Sequence, residues 1–220
     1  LKTSNDIGIN ALINQCKLNK KNLDSYHFGF VLGPCLNASG RLDTAKKAMD
    51  LLECEDEKHA EVLAGALKKL NDERKDLTEK GTKEAIEKAE QLDDSVLVIY
   101  LEHCHESIAG IIAGRVREKY NKPTIVLTDA VEGVKGSGRS IEEYDMYAEL
   151  TKVKELFTKF GGHKMAAGVS LQKENIDILR KKLNENCNLT QEDLYLKVWI
   201  DMQLPLEYVT MNMINMGVVQ

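Results

Sequence analysis

Ser95-Val96-Leu97-Val98-Ile99-Tyr100-Leu101 is an almost unbroken apolar run. Such a run marks a strand buried on both faces, since a strand with one wet face alternates instead. The pattern after it is helical from Ile108 to Tyr120, and Pro123 then opens a second buried run, Thr124-Ile125-Val126-Leu127. A polar turn leads to a third strand over Val134–Ser140. Short helices are expected around Tyr144–Leu150 and Val153–Phe160, and a strand at Ala166–Leu171. An amphipathic helix follows from Asn175 to Asn186, with Ile176, Ile178, Leu179 and Leu183 on one side. Strands alternating with helices predict an α/β unit with a mainly parallel sheet, bounded at residues 93–190.

Upstream, residues 1–54 read as helical. Asp6 suits the cap of a stretch carrying Ile7, Ile9, Leu12 and Ile13. Tyr26 to Leu36 is rich in apolar and small residues, and Asn37-Ala38-Ser39-Gly40-Arg41 reads as a helix stop and a loop. Asp43 then suits the N-cap of a helix through Leu51 and Leu52. Residues 55–92 read as one charged helix of about 50 Å. Leu63, Leu67, Leu70, Arg74, Leu77 and Gly81 recur at spacings of four and three, a seam interrupted by Arg74. A coiled-coil arm and a rigid connector both fit. Residues 191–220 begin with Leu196-Lys197-Val198-Trp199-Ile200, which alternates like a half-exposed strand opening a further, truncated domain.

The composition bounds the function class. The 220 residues are 43% hydrophobic and 30% charged, and no apolar run reaches the roughly 18 residues of a membrane span. The start, Leu1-Lys2-Thr3-Ser4-Asn5-Asp6, has neither a signal core nor an initiating Met and reads as a cut inside a longer chain. Five scattered cysteines without a C-x-x-C pair argue for free thiols in a reducing cytoplasm. The net charge of −5 opposes a broad basic surface but leaves room for a narrow strand groove, because the local potential is what matters.

Four places carry candidate chemistry. A rotation of 100° per residue puts Arg115 over Ile108, flanked by Ile111 and Ile112. A guanidinium inside an apolar stripe must either pair with a carboxylate or reach a ligand. Ser137 and Arg139 alternate with Gly136 and Gly138. On a strand they share one face and suit a terminal phosphate, whereas in a turn they are ordinary surface residues. His163 follows Gly161-Gly162, read as the end of the preceding helix with Gly161 left-handed; it is either a surface residue or a contact to a bound group. His103 and His105 lie two apart with no third ligand nearby, so no metal is expected there. His105 instead opens the next helix, facing the same cleft as Arg115.

Together, His105-Glu106-Ser107-Ile108-Ala109-Gly110-Ile111-Ile112-Ala113-Gly114-Arg115, Gly136-Ser137-Gly138-Arg139-Ser140 and Gly161-Gly162-His163-Lys164-Met165-Ala166-Ala167-Gly168 resemble the accessory domain of the DHH phosphoesterase superfamily, in its RecJ-type single-strand exonuclease branch. Gly33-Pro34-Cys35-Leu36-Asn37-Ala38-Ser39-Gly40-Arg41-Leu42-Asp43 resembles the segment closing that family's catalytic lobe. The resemblance covers about residues 24–187. It implies a remnant of the catalytic lobe (1–54), a connector helix (55–92), the accessory domain (93–190) and the start of an OB-like barrel (191–220). The family degrades single-stranded DNA from the 5′ end with Mn²⁺ or Mg²⁺, held by an Asp-His-His cluster that this chain lacks. By motif, Arg115, Ser137 and Arg139 are expected to hold the 5′-terminal phosphate. Arg41 is expected on the strand near the lobe junction, and His163 near the end nucleotide or scissile region. The resemblance also implies a cytoplasmic monomer of DNA repair and recombination, with a repair helicase or single-strand-binding protein as partner, and an inactive fragment. Cys35 stands where a basic residue is common in the family, and Gly114 where a small polar one is frequent. Two alternatives share the fold: a non-catalytic scaffold of replication machinery, and a phosphodiesterase for dinucleotides or very short RNA.

Overall fold

A computed structural model describes residues 6–198, 200 and 202–215. Helix α1 (Ile7–Gln15) starts where Asp6 Oδ1 accepts from the Ile9 N–H at 2.7 Å, as its sequence predicts. A short helix, α2 (Ser25–His27), runs through a π-helical turn (Phe28–Leu32) directly into α3 (Gly33–Leu42). The expected stop at Asn37–Arg41 is therefore helical. Pro34 stands just after the π-helical turn. Ala38 and Ser39 are fully buried, and the Ser39 hydroxyl donates to the Leu36 carbonyl at 2.9 Å. Burial thus outweighs the weak helix propensity of Asn37 and Gly40. Asp43 is the residue that ends α3 rather than a cap of the next helix, α4 (Lys46–Leu52); Thr44 Oγ1 accepts from the Lys46 N–H instead, at 3.3 Å.

Helix α5 (Glu57–Ala89) is 33 residues long and is capped by Asp56, whose carboxylate accepts from the His59 N–H at 2.7 Å. Its buried stripe is not the leucine seam. It consists of Ala60, Ala64, Leu67, Asn71, Thr78, Ala85 and Ala89, while Leu77 is exposed. Small residues win because α5 is packed on at both ends. Ala60, Ala64 and Leu67 join Leu12, Ile13, Leu32 and Leu51 in a helical core, and Ala85 and Ala89 join a second core with Leu97, Ile99, Ile108 and Ile112. A Cβ at Gly81 would lie 2.6 Å from Ile112 Cδ1, so this glycine lets the next helix, α6 (Glu106–Tyr120), approach.

The sheet contains β1 (Leu97–Tyr100), β2 (Thr124–Asp129), β3 (Val134–Arg139), β4 (Phe157–His163) and β5 (Ala166–Leu171), in the order β1-β2-β3-β5-β4. Only β1 and β2, joined by α6, are parallel; the other three pairings are antiparallel. The mainly parallel sheet is thus corrected. Residues 130–133 link β2 to β3, with Gly133 at φ 66°, and a link this short cannot hold a crossover.

The helix expected at Val153–Phe160 is also corrected, to a 3-10 turn (Lys154–Leu156) leading into β4. Val153, Leu156, Phe157 and Phe160 do follow a helical spacing. A bulge between Phe157 and Lys159 produces the same burial on a strand, placing Phe157 opposite Leu171 and Phe160 opposite Val169 on one sheet face. That face packs on α7 (Met146–Thr151) and α8 (Ile176–Glu185). After α8 the chain forms a turn at Leu206–Tyr208 and a short helix, α9 (Met211–Asn215), with no strand among the described residues. The strand expected to open an OB-like domain from residue 191 is not seen among the described residues, and Trp199 of that strand lies outside them.

Candidate functional site

Helix α6 covers the other sheet face over β2 and β3, with α5 against β1, leaving β5 and β4 open. The register places Lys135, Ser137 and Arg139 of β3 on this face. Ser170, Gly168 and Ala166 of β5 lie beside them, followed by Lys159, Gly161 and His163 of β4. Ser137, Gly168 and Gly161 therefore form one row across three strands. A Cβ added to Gly161 or Gly168 would meet nothing within 4 Å. Nothing inside the chain requires these glycines, although glycine weakens a strand. They floor an open trough of about 450 Å³ between the sheet and the first turn of α6, with Glu106, Ser107, Lys135 and Lys159 at its sides.

Arg139 lies beneath α6. A Cβ at Gly110 would be 2.8 Å from Arg139 Nη2 and 3.3 Å from Ser137 Cβ, so the absent side chain makes room for both. Arg139 Nη1 donates to the Gly138 carbonyl at 2.7 Å. Burial lowers the pKa of this guanidinium, and the charges of Arg41 and Arg117 lower it further. Arg41 is exposed and donates from Nη1 to the Ser107 carbonyl at 2.8 Å, which ties α3 to the start of α6.

Two further arginines were not among the expected site residues. Arg74 of α5 donates from Nε and Nη2 to Asn71 Oδ1 at 3.2 and 2.9 Å. Its pKa is lowered first by burial, then by Arg41 and Arg115. The only signal for it in the sequence was its interruption of the leucine seam. Arg117 has a buried Nε with no hydrogen-bond partner and a loose contact to Glu118 at 3.6 Å. Among the described residues, Arg41, Arg74, Arg115 and Arg139 form no ion pair with a carboxylate. α3, α5, α6 and β3 thus gather guanidinium groups without a direct carboxylate partner, with Asp76, Glu79 and Glu87 lining the pocket beside Arg115, on a protein of net charge −5.

The remaining candidates fall as follows. Arg115 is exposed rather than set in the apolar stripe. The buried arc of α6 comprises Ile108, Ala109, Ile112, Ala113 and Val116. At 100° per residue, Arg115 falls about 20° beyond the Ile108 edge of that arc. His105 is the N-cap of α6: its Nδ1 accepts from the Ser107 N–H at 3.3 Å and lies 2.7 Å from Ser107 Oγ. His163 ends β4, where its Nδ1 accepts from the Met165 N–H at 3.3 Å. Gly161 is paired within β4 and is not a left-handed helix end. His163, Ala166 and Arg139 share a row, which separates His163 from Arg139 by two strand spacings, about 10 Å. Among the described residues, no three His, Cys, Asp or Glu side chains gather where a metal ion fits. No described helix is long and apolar enough to cross a membrane.

Residues 93–189 match the DHHA1 domain family. The chain is 36% identical over 220 residues to the single-stranded-DNA-specific exonuclease RecJ of Bacillus subtilis (strain 168), covering 97% of this chain and 28% of that protein. It is 36% identical over 189 residues to the protein of the same description from Escherichia coli (strain K12), covering 81% and 33%. Its fold is similar to that of RecJ in complex with Mg²⁺ from Thermus thermophilus (TM-score 0.73, 25% identity, 83% of this chain and 28% of that one). It is also similar to exonuclease RecJ bound to manganese (TM-score 0.74, 26% identity, 83% and 45%). The chain spans about a third of the length of these curated relatives.

Proposed function

The chain belongs to the RecJ type of DHH protein, with residues 93–189 as its DHHA1 domain, and from this premise we propose that it is the strand-holding part of a 5′-to-3′ single-stranded-DNA exonuclease. The trough, its Lys135 and Lys159, and the arginines beside it anchor the 5′-terminal phosphate and the nucleotides next to it. The observation that carries this reading is the row of Ser137, Gly168 and Gly161, with Arg139 half-buried at its side and no internal use for the glycines. Glycines without a Cβ let a sugar–phosphate backbone lie against the sheet. A hydroxyl and a planar guanidinium then meet phosphate oxygens in a partly desolvated site, where charge-assisted hydrogen bonds are strong. Arg41, Arg74 and Arg115 extend the positive charge from the trough toward α5, and His163 stands over the next nucleotide.

The described residues do not fit a divalent metal, so no step of hydrolysis is assigned to them. In the parent, the Mn²⁺ or Mg²⁺ belongs to a different lobe. Residues 1–54 are its closing segment, residues 55–92 the connector, and residues 93–190 the anchor. Binding energy from a phosphate that does not react thereby fixes the one that does.

Fluorescence anisotropy on short single-stranded DNA, with 5′-phosphate against 5′-hydroxyl ends at low salt, tests the proposal. Tighter binding of the phosphorylated end, with no cleavage when Mn²⁺ is added, supports it. Equal binding to both ends, or metal-dependent cutting by these 220 residues, overturns it.

A further inference from the structure

Two cysteines meet in the helical core, away from the trough. Cys16 closes α1 and Cys35 lies in α3, with their sulfurs 3.8 Å apart. Cys35 is completely buried, whereas Cys16 keeps some exposure. Asn71 of α5, itself buried, donates from Nδ2 to Cys35 Sγ at 3.4 Å. No other pair of sulfurs is in contact among the described residues.

We propose that Cys16 and Cys35 are a peroxide-reactive dithiol, with Cys16 as the attacking sulfur and Cys35 as the resolving one. The geometry separates the roles, because only Cys16 is open to a small oxidant while Cys35 waits behind it. The electrostatics agree. The hydrogen bond from Cys35 draws the Cys16 thiol down to about 7 against the opposing effect of burial, and the charge of Lys68 adds to the lowering. The same contact and burial push the Cys35 thiol up. The thiolate is the nucleophilic form.

The chemistry balances in two steps. The Cys16 thiolate attacks one oxygen of hydrogen peroxide, an S–O bond forms, the O–O bond breaks, and hydroxide leaves. Cys16 is then a sulfenic acid, oxidised by two electrons, and the peroxide is reduced. Cys35 next gives up its proton as its sulfur attacks Cys16. The S–S bond forms, the S–O bond breaks, and the departing hydroxide takes the proton to leave as water. Overall, two thiols and one peroxide yield one disulfide and two waters. An external dithiol reverses the change by exchange.

The sulfurs must close from 3.8 Å to about 2.0 Å. Since Asn71 also accepts both hydrogen bonds from Arg74, the dithiol touches the arginine cluster through one side chain. The remaining cysteines are placed differently. Burial pushes the Cys104 thiol up to about 11, and Cys54 donates to the Asp56 carbonyl at 3.3 Å.

The proposal is tested on the reduced 220-residue protein by adding hydrogen peroxide and then blocking free thiols with a maleimide. Three of the five cysteines should then be labelled, with two hydrogens lost from the intact mass. Digestion should give a linked pair of peptides containing Cys16 and Cys35, released by dithiothreitol. In Cys35→Ser, which keeps a hydrogen-bond donor beside Cys16 but cannot form a disulfide, the reaction should stop at a sulfenic acid on Cys16, captured by dimedone. In Cys16→Ser, Cys35 should remain a thiol. Labelling of all five cysteines after peroxide, or first oxidation at Cys54, Cys104 or Cys187, overturns the proposal. If Cys35→Ser does not fold, the wild-type peptide map still decides. This readout is independent of strand binding, so its failure leaves the anchoring proposal untouched.

Discussion

Arg139 and the glycines around it show how one backbone position carries either packing or ligand. Its guanidinium occupies the space that a side chain on Gly110 would fill, so Gly110→Val is expected to push Arg139 out from beneath α6. Arg139→Ala should remove the preference for a 5′-phosphate. The loss of a charge-assisted bond is about 1.5–3 kcal/mol, roughly a 10- to 150-fold weaker Kd by anisotropy. Gly168→Val separates ligand space from structural need. A Cβ there meets no protein atom within 4 Å, so the urea midpoint should hold or rise slightly while strand binding is lost. Gly138 is the control, since its Cβ would lie 2.2 Å from Met146 Sδ. Gly138→Ala should therefore destabilise the fold by about 1–3 kcal/mol through overpacking. All three glycines stand in Gly-rich motifs, yet the motifs do not say which of them faces a void.

Elements were legible where local rules and burial agree. The cap Asp6, the length of α5 and the strand at Ala166–Leu171 follow from side-chain chemistry and apolar pattern alone, whereas the cap Asp56 came from the structure. β4 was not legible, because a bulge reproduces the spacing of a helix and only pairing with β5 distinguishes the two. The buried stripe of α5 was hidden too, because close approach by α6 at Gly81 selects small residues over leucines. Ile112, buried at that crossing, is the side chain on which α5 and α6 meet. Ile112→Ala should cost about 2–5 kcal/mol in chemical denaturation and loosen the sheet from the long helix. The same substitution at exposed Leu77 should change stability little.

For the whole molecule, net charge conceals local charge. Five arginines converge from four elements on a chain of net −5, so strand affinity should fall as salt rises. Each phosphate contact on a single strand contributes a slope of about 0.7 in log K against log salt. Arg74→Met should lower that slope by about one such contact without altering the choice between 5′-phosphate and 5′-hydroxyl ends. Stability should also vary with pH in two opposed ways. The Cys16 thiol, lowered from 9.0 to about 7, holds fewer protons folded than unfolded, so its contribution grows from about pH 7 to 9. The Cys104 thiol, raised from 9.0 to about 11, holds more protons when folded, so its contribution is complete below pH 9 and declines toward 11. Urea midpoints across pH 7–11 should show a loss above pH 9 that Cys104→Ala reduces, the raised thiol of Cys35 keeping part of it.

The sequence by itself determined the helical start, the long helix, the two buried strands and the motif residues, because caps, periodicity and glycine chemistry act within a few residues. It also placed Ser137 and Arg139 on one strand face. Only the tertiary structure decided that the sheet is largely antiparallel, that Arg115 lies just outside the buried arc of its helix, and that Arg74 and Arg117 join the cluster. Pairing direction depends on which strand edge is free once the chain has turned. Burial depends on what packs across from a residue, and charge on neighbours brought from distant parts of the chain, none of which is written in local spacing.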